Sequence, residues 1–386
     1  MSDEKTAQVP EIPFVNEMRL NTKQWLITSA VLLVILVGTP FAWKHTERFK
    51  TDADYRIPYS LSKDYWLYHR RLQQIDDHSR VLVLGDSVVW GEYVLPDGTL
   101  SHFLNAEAGQ TDRFVNAGVN GLFPLALDGL VNYYGGPLRH RRILVNCNLL
   151  WMSNPKADLQ TEKEEKFNHS HLVPQFSPRI PCYRADANER LSAVAERNFS
   201  FLAWVNHLQS AYFNDKSIPI WTLQDDGNDP PHYTNSYRNP LTEIKMAVPE
   251  APANDPQRGP ASPRHRSWTE NGGNPAQFEW VTLASSLQWQ GFQHLIATLN
   301  SRSDDVLVLL GPFNEHMIAK ESRPGYQALR EGITSWLTAN KVQFVAPPPL
   351  PTELYADASH PLTAGYHLLA KQLSTNAVIA SWIALK

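Results

Sequence analysis

Three short stretches carry side chains able to do chemistry. The first is Gly85-Asp86-Ser87, directly after the apolar run Arg80-Val-Leu-Val-Leu84. A serine at a strand-to-helix turn holds its hydroxyl clear of the backbone. The helix start that follows brings free N–H groups and a positive dipole end beside it. That setting suits a nucleophile whose intermediate is an oxyanion, although Asp and Ser are also ordinary helix starters. The second stretch is Asp357-Ala-Ser-His360, followed by Pro361 and a helix from about Thr363. A serine hydroxyl is a weak nucleophile and needs a base. Histidine serves near neutral pH when a carboxylate fixes its tautomer. The third pairs Asn116-Ala-Gly-Val-Asn-Gly121 with Asn146-Cys-Asn148. Glycine lets a backbone N–H approach a substrate oxygen closely, and an asparagine amide is a neutral donor.

These residues need a scaffold. Short apolar runs at Arg80–Leu84, Phe114–Val115, Arg142–Val145, Val306–Leu310 and Val342–Val345 read as buried parallel strands. Helical patterns lie between them. Tyr326, Leu329, Ile333, Trp336 and Leu337 share one helix face, and Phe278, Val281, Ala284, Leu287, Phe292 and Leu295 share another. Strands alternating with helices predict an α/β fold with a parallel sheet of about five strands and helices on both faces. Each chemical stretch then falls just past a strand, where ligands bind in open α/β sheets. From 151 to 275 the pattern breaks, with nine prolines between Pro219 and Pro263 and the turn-rich Asp225–Pro231. This reads as an insertion with one or two helices, Leu191–Phe213 the clearest, and a long loop.

With Ser, Gly, Asn and Asp/His in that order, the sequence resembles the SGNH, or GDSL-type, hydrolase family. The matching blocks are Gly85-Asp-Ser87, Asn116 to Gly121, Asn148 and Asp357-x-x-His360, over about residues 79–150 and 303–386. The resemblance implies a flavodoxin-like three-layer α/β/α sandwich, with Ser87 as nucleophile and His360 as base oriented by Asp357. It implies an oxyanion hole made by the amides of Ser87 and Gly121 and the side chain of Asn148. Val-Val-Trp follows Ser87 where the family name has Leu, and the third block lacks its usual flanking Gly and Asp. Asn146 is therefore a rival to Asn148, and Gly118 to Gly121. Asp86 and Glu315 are further candidates for lining the cleft.

Trp25–Trp43 runs 19 residues without a charge, bracketed by tryptophans. At helical rise this is about 28 Å, close to the ~30 Å bilayer core. A cleaved signal peptide is the alternative, but the polar leader of residues 1–24 is long for one. Lys5, Arg19 and Lys23 precede the span, and Lys44, Arg48, Lys50 and Arg56 follow it, so charge does not orient it. Residues 44–79 read as a polar tether, and 80–386 as the hydrolase-like domain.

Composition narrows the classes. With 35 basic and 39 acidic side chains the formal net charge is −4, so nothing equips the chain to neutralise a nucleic-acid backbone. Two cysteines, Cys147 and Cys182, exclude a disulfide scaffold, and sequence leaves open whether they pair. The fourteen histidines show no metal-ligand spacing, and Gly118-x-x-Gly121 is too short for a dinucleotide loop, so no metal and no cofactor are expected. Twelve Trp and 28 Pro point to aromatic-lined loops suited to glycans. The expected activity is a membrane-anchored serine esterase acting on O-acyl, especially acetyl, groups of a cell-envelope or exported glycan, or on a small ester. The first alternative is an O-acyltransferase working with a multi-span membrane acyltransferase partner. The second is a non-catalytic scaffold retaining the fold. The resemblance and the bilayer-spanning segment together place the domain outside the cytoplasm, periplasmic or exterior.

Overall fold

The computed structural model describes residues 20–49, 51–75, 77–216, 239–250, 266–302 and 304–385. The polar leader before residue 20 and most of the proline-rich stretch, including Asp225–Pro231, lie outside the described residues. The chain divides into two compact units, Met1–His45 and Thr46–Lys386.

The first unit is built on helix α1, Thr22–Thr46. Twenty-five residues rise about 37 Å, more than a bilayer core. Trp25, Ile27, Leu33 and Ile35, which point to four different sides of the helix, are all exposed, so the apolar surface runs round it rather than along one stripe. The helix is long and apolar enough to cross a membrane.

In the second unit the elements run α2 (Tyr65–Gln74), β1 (Val81–Leu84), α3 (Ser87–Trp90), α4 (Leu100–Glu107), β2 (Phe114–Asn116), α5 (Pro124–Tyr134) and β3 (Arg142–Cys147). They continue α6 (Ala187–Asn198), α7 (Ser200–Phe213), α8 (Leu287–Ser301), β4 (Asp305–Leu310), α9 (Arg323–Ala339), β5 (Gln343–Val345), α10 (Thr363–Ser374) and α11 (Ala377–Ile383). All five expected strands form one parallel sheet in the order β2-β1-β3-β4-β5. Strands β1 to β4 are apolar and buried at nearly every position, as a sheet covered on both faces requires.

The order fixes where the helices go. The chain steps one way from β1 to β2, then reverses to reach β3, β4 and β5. Right-handed crossovers in opposite directions lay α4 and α5 on opposite faces. One face packs Val81, Val83, Leu144, Leu307 and Leu309 against Leu100 and Leu104 of α4, Tyr366, Leu369 and Leu373 of α10, and Ile379 and Trp382 of α11. Helices α5 and α8 pack on each other. The reversal point lies between β1 and β3, where open α/β sheets leave their crevice.

Three sequence expectations need correction. Residues 46–79 are not a tether. Asp64 caps α2 by accepting from the Leu67 N–H at 2.9 Å, and Tyr65, Trp66, Leu67 and Tyr68 are buried. The pattern from Phe278 to Leu295 is not one helix either. Asp158, 128 residues upstream of Ser286, accepts from the Ser286 hydroxyl and from the amides of Leu287 and Gln288, so α8 starts only at Leu287. The region Leu191–Phe213 is two helices broken at Phe199, the first opened by a capping box between Asp186 and Glu189.

Candidate active site

Ser87 is the first residue of α3, three residues beyond the end of β1. Gly85 is needed at the turn because a Cβ there would press on Val89 and Asn146. Asp86 is the N-cap and accepts from the Val88 amide at 2.9 Å. Helix α3 has only four residues, so its dipole contributes little and the local free amides matter instead. The short helix is clamped. The Tyr366 hydroxyl donates to the Val88 carbonyl at 2.6 Å, and Trp90 Nε1 donates to the Ile57 carbonyl at 2.8 Å. The Arg56 guanidinium lies 4.3 Å over the Trp90 ring and donates to the Gly91 carbonyl.

His360 reaches this serine from the far end of the chain. Ser87 Oγ lies 2.8 Å from His360 Nε2, and His360 Nδ1 lies 2.8 Å from the Asp357 carboxylate. The Asp357 carboxylate also accepts from the backbone amides of Ser359 and His360, so one turn orients both members. The turn is fixed at both ends, by the Asn314 amide on the Ala358 carbonyl and the Ala356 amide on the His360 carbonyl. Ser87 and His360 are buried, at 8% and 6% exposure, while Asp357 is half-buried. Burial pulls the imidazole pKa down. The Asp357 carboxylate, with Glu92 and Asp86 behind it, more than reverses this and holds it at about 9. Burial pushes Asp357 up, and its charge and hydrogen-bond partners bring it below the usual carboxylate range.

Two neighbours were not legible in the sequence. Glu92 Oε2 lies 3.5 Å from His360 Nε2, the nitrogen that faces the serine. The Tyr93 ring stands edge-on to the imidazole, 5.1 Å between centroids. Both come from the turn after α3, and no spacing rule ties them to a histidine 268 residues away.

The remaining candidates divide. Asp86, buried, accepts from Asn148 Nδ2 at 3.0 Å and Trp151 Nε1 at 2.9 Å, which ties the ends of β1 and β3 together across the reversal point. Burial raises the Asp86 pKa, and its donors and His360 oppose this. One of the two Asn148 N–H groups is used on Asp86, which leaves the other. Gly118 packs against Val89 and the Trp90 backbone, and its amide donates to Asn116 Oδ1 at 3.0 Å, so that N–H is committed. The Val119 amide donates to the Gly85 carbonyl at 3.1 Å and seats this loop beside the serine turn.

Gly121 has φ +71°, the left-handed conformation that favours glycine, and a Cβ there would collide with the Asn168 side chain. Its turn is held by His169, whose Nε2 donates to the Asn120 carbonyl at 2.8 Å while its Nδ1 accepts from the Tyr65 hydroxyl at 3.1 Å. Burial keeps this histidine neutral, near 4. His169 is a further residue that the sequence did not single out.

Two further candidates carry structural bonds. Asn146 Nδ2 donates to the Gly311 carbonyl at 2.6 Å, which braces the β3 and β4 ends. Glu315 accepts from the Tyr326 hydroxyl at 3.0 Å and pairs with Arg330 at 3.1 Å, which ties it to the start of α9. Cys147 and Cys182 are both buried and unpaired, and burial pushes both thiols up.

A hydroxyl, an imidazole and a carboxylate hydrogen-bonded in series form a proton-transfer chain able to generate an alkoxide nucleophile. No family model matches this chain, and no curated protein matches it.

Proposed function

We propose that the chain is a membrane-anchored serine esterase that works through an acyl-Ser87 intermediate in the manner of the SGNH hydrolases it resembles. The observation that carries this reading is the series Ser87 Oγ, His360 Nε2, His360 Nδ1, Asp357 at 2.8 Å per step. The sheet order and the placement of the serine after β1 support a flavodoxin-like three-layer α/β/α frame.

In this reading neutral His360 takes the Ser87 proton as Oγ attacks the ester carbonyl. Negative charge moves to the carbonyl oxygen, where the Ser87 and Gly121 amides and the second Asn148 N–H are the donors. Collapse expels the alcohol, which takes its proton from His360 Nε2. Water, deprotonated by the same nitrogen, then releases the acid and restores Ser87. Asp357 keeps Nδ1 protonated and offsets the imidazolium charge. The natural substrate is an O-acylated cell-envelope or exported glycan. Helix α1 is the anchor, and the catalytic domain lies on the outer side of the membrane.

The test is fluorophosphonate labelling of the full chain in detergent beside Ser87→Ala, with p-nitrophenyl acetate turnover on the same samples. Labelling and turnover that both vanish in Ser87→Ala are the expected result. Labelling without turnover points instead to transfer of the acyl group onto a sugar hydroxyl. An unlabelled, folded protein removes the enzyme reading.

A further inference from the structure

Gly121 also borders a cavity of about 350 Å³. Its apolar wall is made by Phe123, Ala126, Ala157, Leu159, Phe167 and Val173. Four of these six come from the insertion, residues 157–173, and two from the start of α5. Asn154, Asn168, Gln288 and Lys166 line the rest of it, together with Lys156 and Glu165, which pair with each other at 2.9 Å.

The position of this cavity decides what it can hold. His360 precedes α10 and so comes to Ser87 from the sheet face covered by α4, α10 and α11. The cavity sits at the beginning of α5, which the crossover reversal assigns to the opposite face. In the tetrahedral intermediate the leaving oxygen must lie against His360 Nε2, its proton donor. The acyl substituent is then directed away from His360, past the oxyanion donors. Gly121 is at once a candidate oxyanion donor and a cavity wall, the one residue common to the two sites.

Resting on the esterase reading above, we propose that this cavity binds the acyl chain, and that the preferred acyl group is a linear aliphatic one of about six to ten carbons rather than acetyl. At roughly 30 Å³ per carbon, the share of one water molecule in the liquid, the volume holds on the order of ten carbons. An acetyl methyl leaves most of it empty. Each buried methylene is worth about fourfold in binding. Six additional methylenes, only partly shielded from water, are expected to give at least about tenfold in kcat/KM.

The experiment compares p-nitrophenyl acetate, butyrate and octanoate with the full chain at one fixed detergent concentration, beside Ala157→Trp. The expected result is octanoate above acetate by about tenfold or more, with the octanoate-to-acetate ratio falling about tenfold in Ala157→Trp. Ala126→Phe narrows the same cavity from α5 and gives the same readout if Ala157→Trp does not fold. A protein labelled at Ser87 that prefers acetate, or whose ratio is unmoved in both variants, overturns the acyl-cavity assignment and leaves the esterase reading standing. Loss of Ser87 labelling in the unsubstituted chain marks failure of the esterase reading, and the cavity assignment falls with it.

Discussion

The imidazole of His360 has three carboxylates around it, Asp357, Glu92 and Asp86, with Ser87, Tyr93 and Tyr366 also nearby and Arg56 beyond them. On the esterase reading, only the neutral ring can take the serine proton. A resting value of about 9 therefore predicts that kcat/KM climbs with pH through the region of 9 rather than levelling near neutrality. Glu92→Gln removes a negative charge 3.5 Å from Nε2, disfavours the imidazolium and moves the limb to lower pH, by up to about one unit. A pH–rate profile of both proteins checks this, and an unmoved limb removes Glu92 from the site's electrostatics. Asp357→Asn is expected to cost roughly 10³–10⁴ in kcat with the fold intact, because the ring loses its tautomer control. At this scale the sequence was partly legible. Ser87, Asp357 and His360 lie where a nucleophile, an orienting carboxylate and a base are expected after β1 and β5. Asn146 and Glu315 shared the right strand-end positions, yet their partners, Gly311, Tyr326 and Arg330, are set by packing that spacing does not encode.

Among the elements, the five strands were readable because burial on both faces forces continuous apolar runs. Residues 46–79 were not. They carry Glu47, Asp64, Arg70 and Arg71, which by composition belong on a surface, yet all four are buried. They are buried as a cluster. His207 of α7, fully inaccessible, bridges Asp64 at 2.6 Å and Glu47 at 3.0 Å, while Arg70 and Tyr212 bond Glu47 as well. Burial pulls His207 down, and the two carboxylates lift it to about 9. His207→Ala leaves two buried carboxylates without their shared cation and is expected to cost about 3–5 kcal/mol, read as a lower urea midpoint. The value of about 9 lies above the ordinary 6.5, so this stabilisation is complete below about pH 6.5 and is lost as pH rises through about 9. His360 titrates in the same window with the same sign. The decisive quantity is therefore the wild-type minus His207→Ala difference, which should shrink between pH 6 and pH 9.5. A difference constant over that range argues against a charged His207.

For the whole molecule, the division at His45 and Thr46 gives a direct prediction. A chain beginning at Thr46 keeps Glu47 and α2 and is expected to fold without detergent and retain Ser87 labelling. A chain beginning at Arg80, where the sequence alone set the domain start, lacks Tyr65, Trp66, Leu67 and Tyr68 from its core. It also lacks the Tyr65 hydroxyl that His169 relies on to hold the Gly121 turn. It is expected to aggregate, and soluble, labelled protein from it would show that the segment is dispensable.

The Ser87–His360 contact spans 273 residues. A ribosome adding about 5–20 residues per second needs roughly 15–55 s to move from one to the other. Throughout that interval the emerging serine has no base and remains an ordinary alcohol. On the esterase reading, a polypeptide that stalls or is clipped between Ser87 and the Asp357–His360 turn is therefore inert, and the serine gains its reactivity only once that turn has been made and has docked.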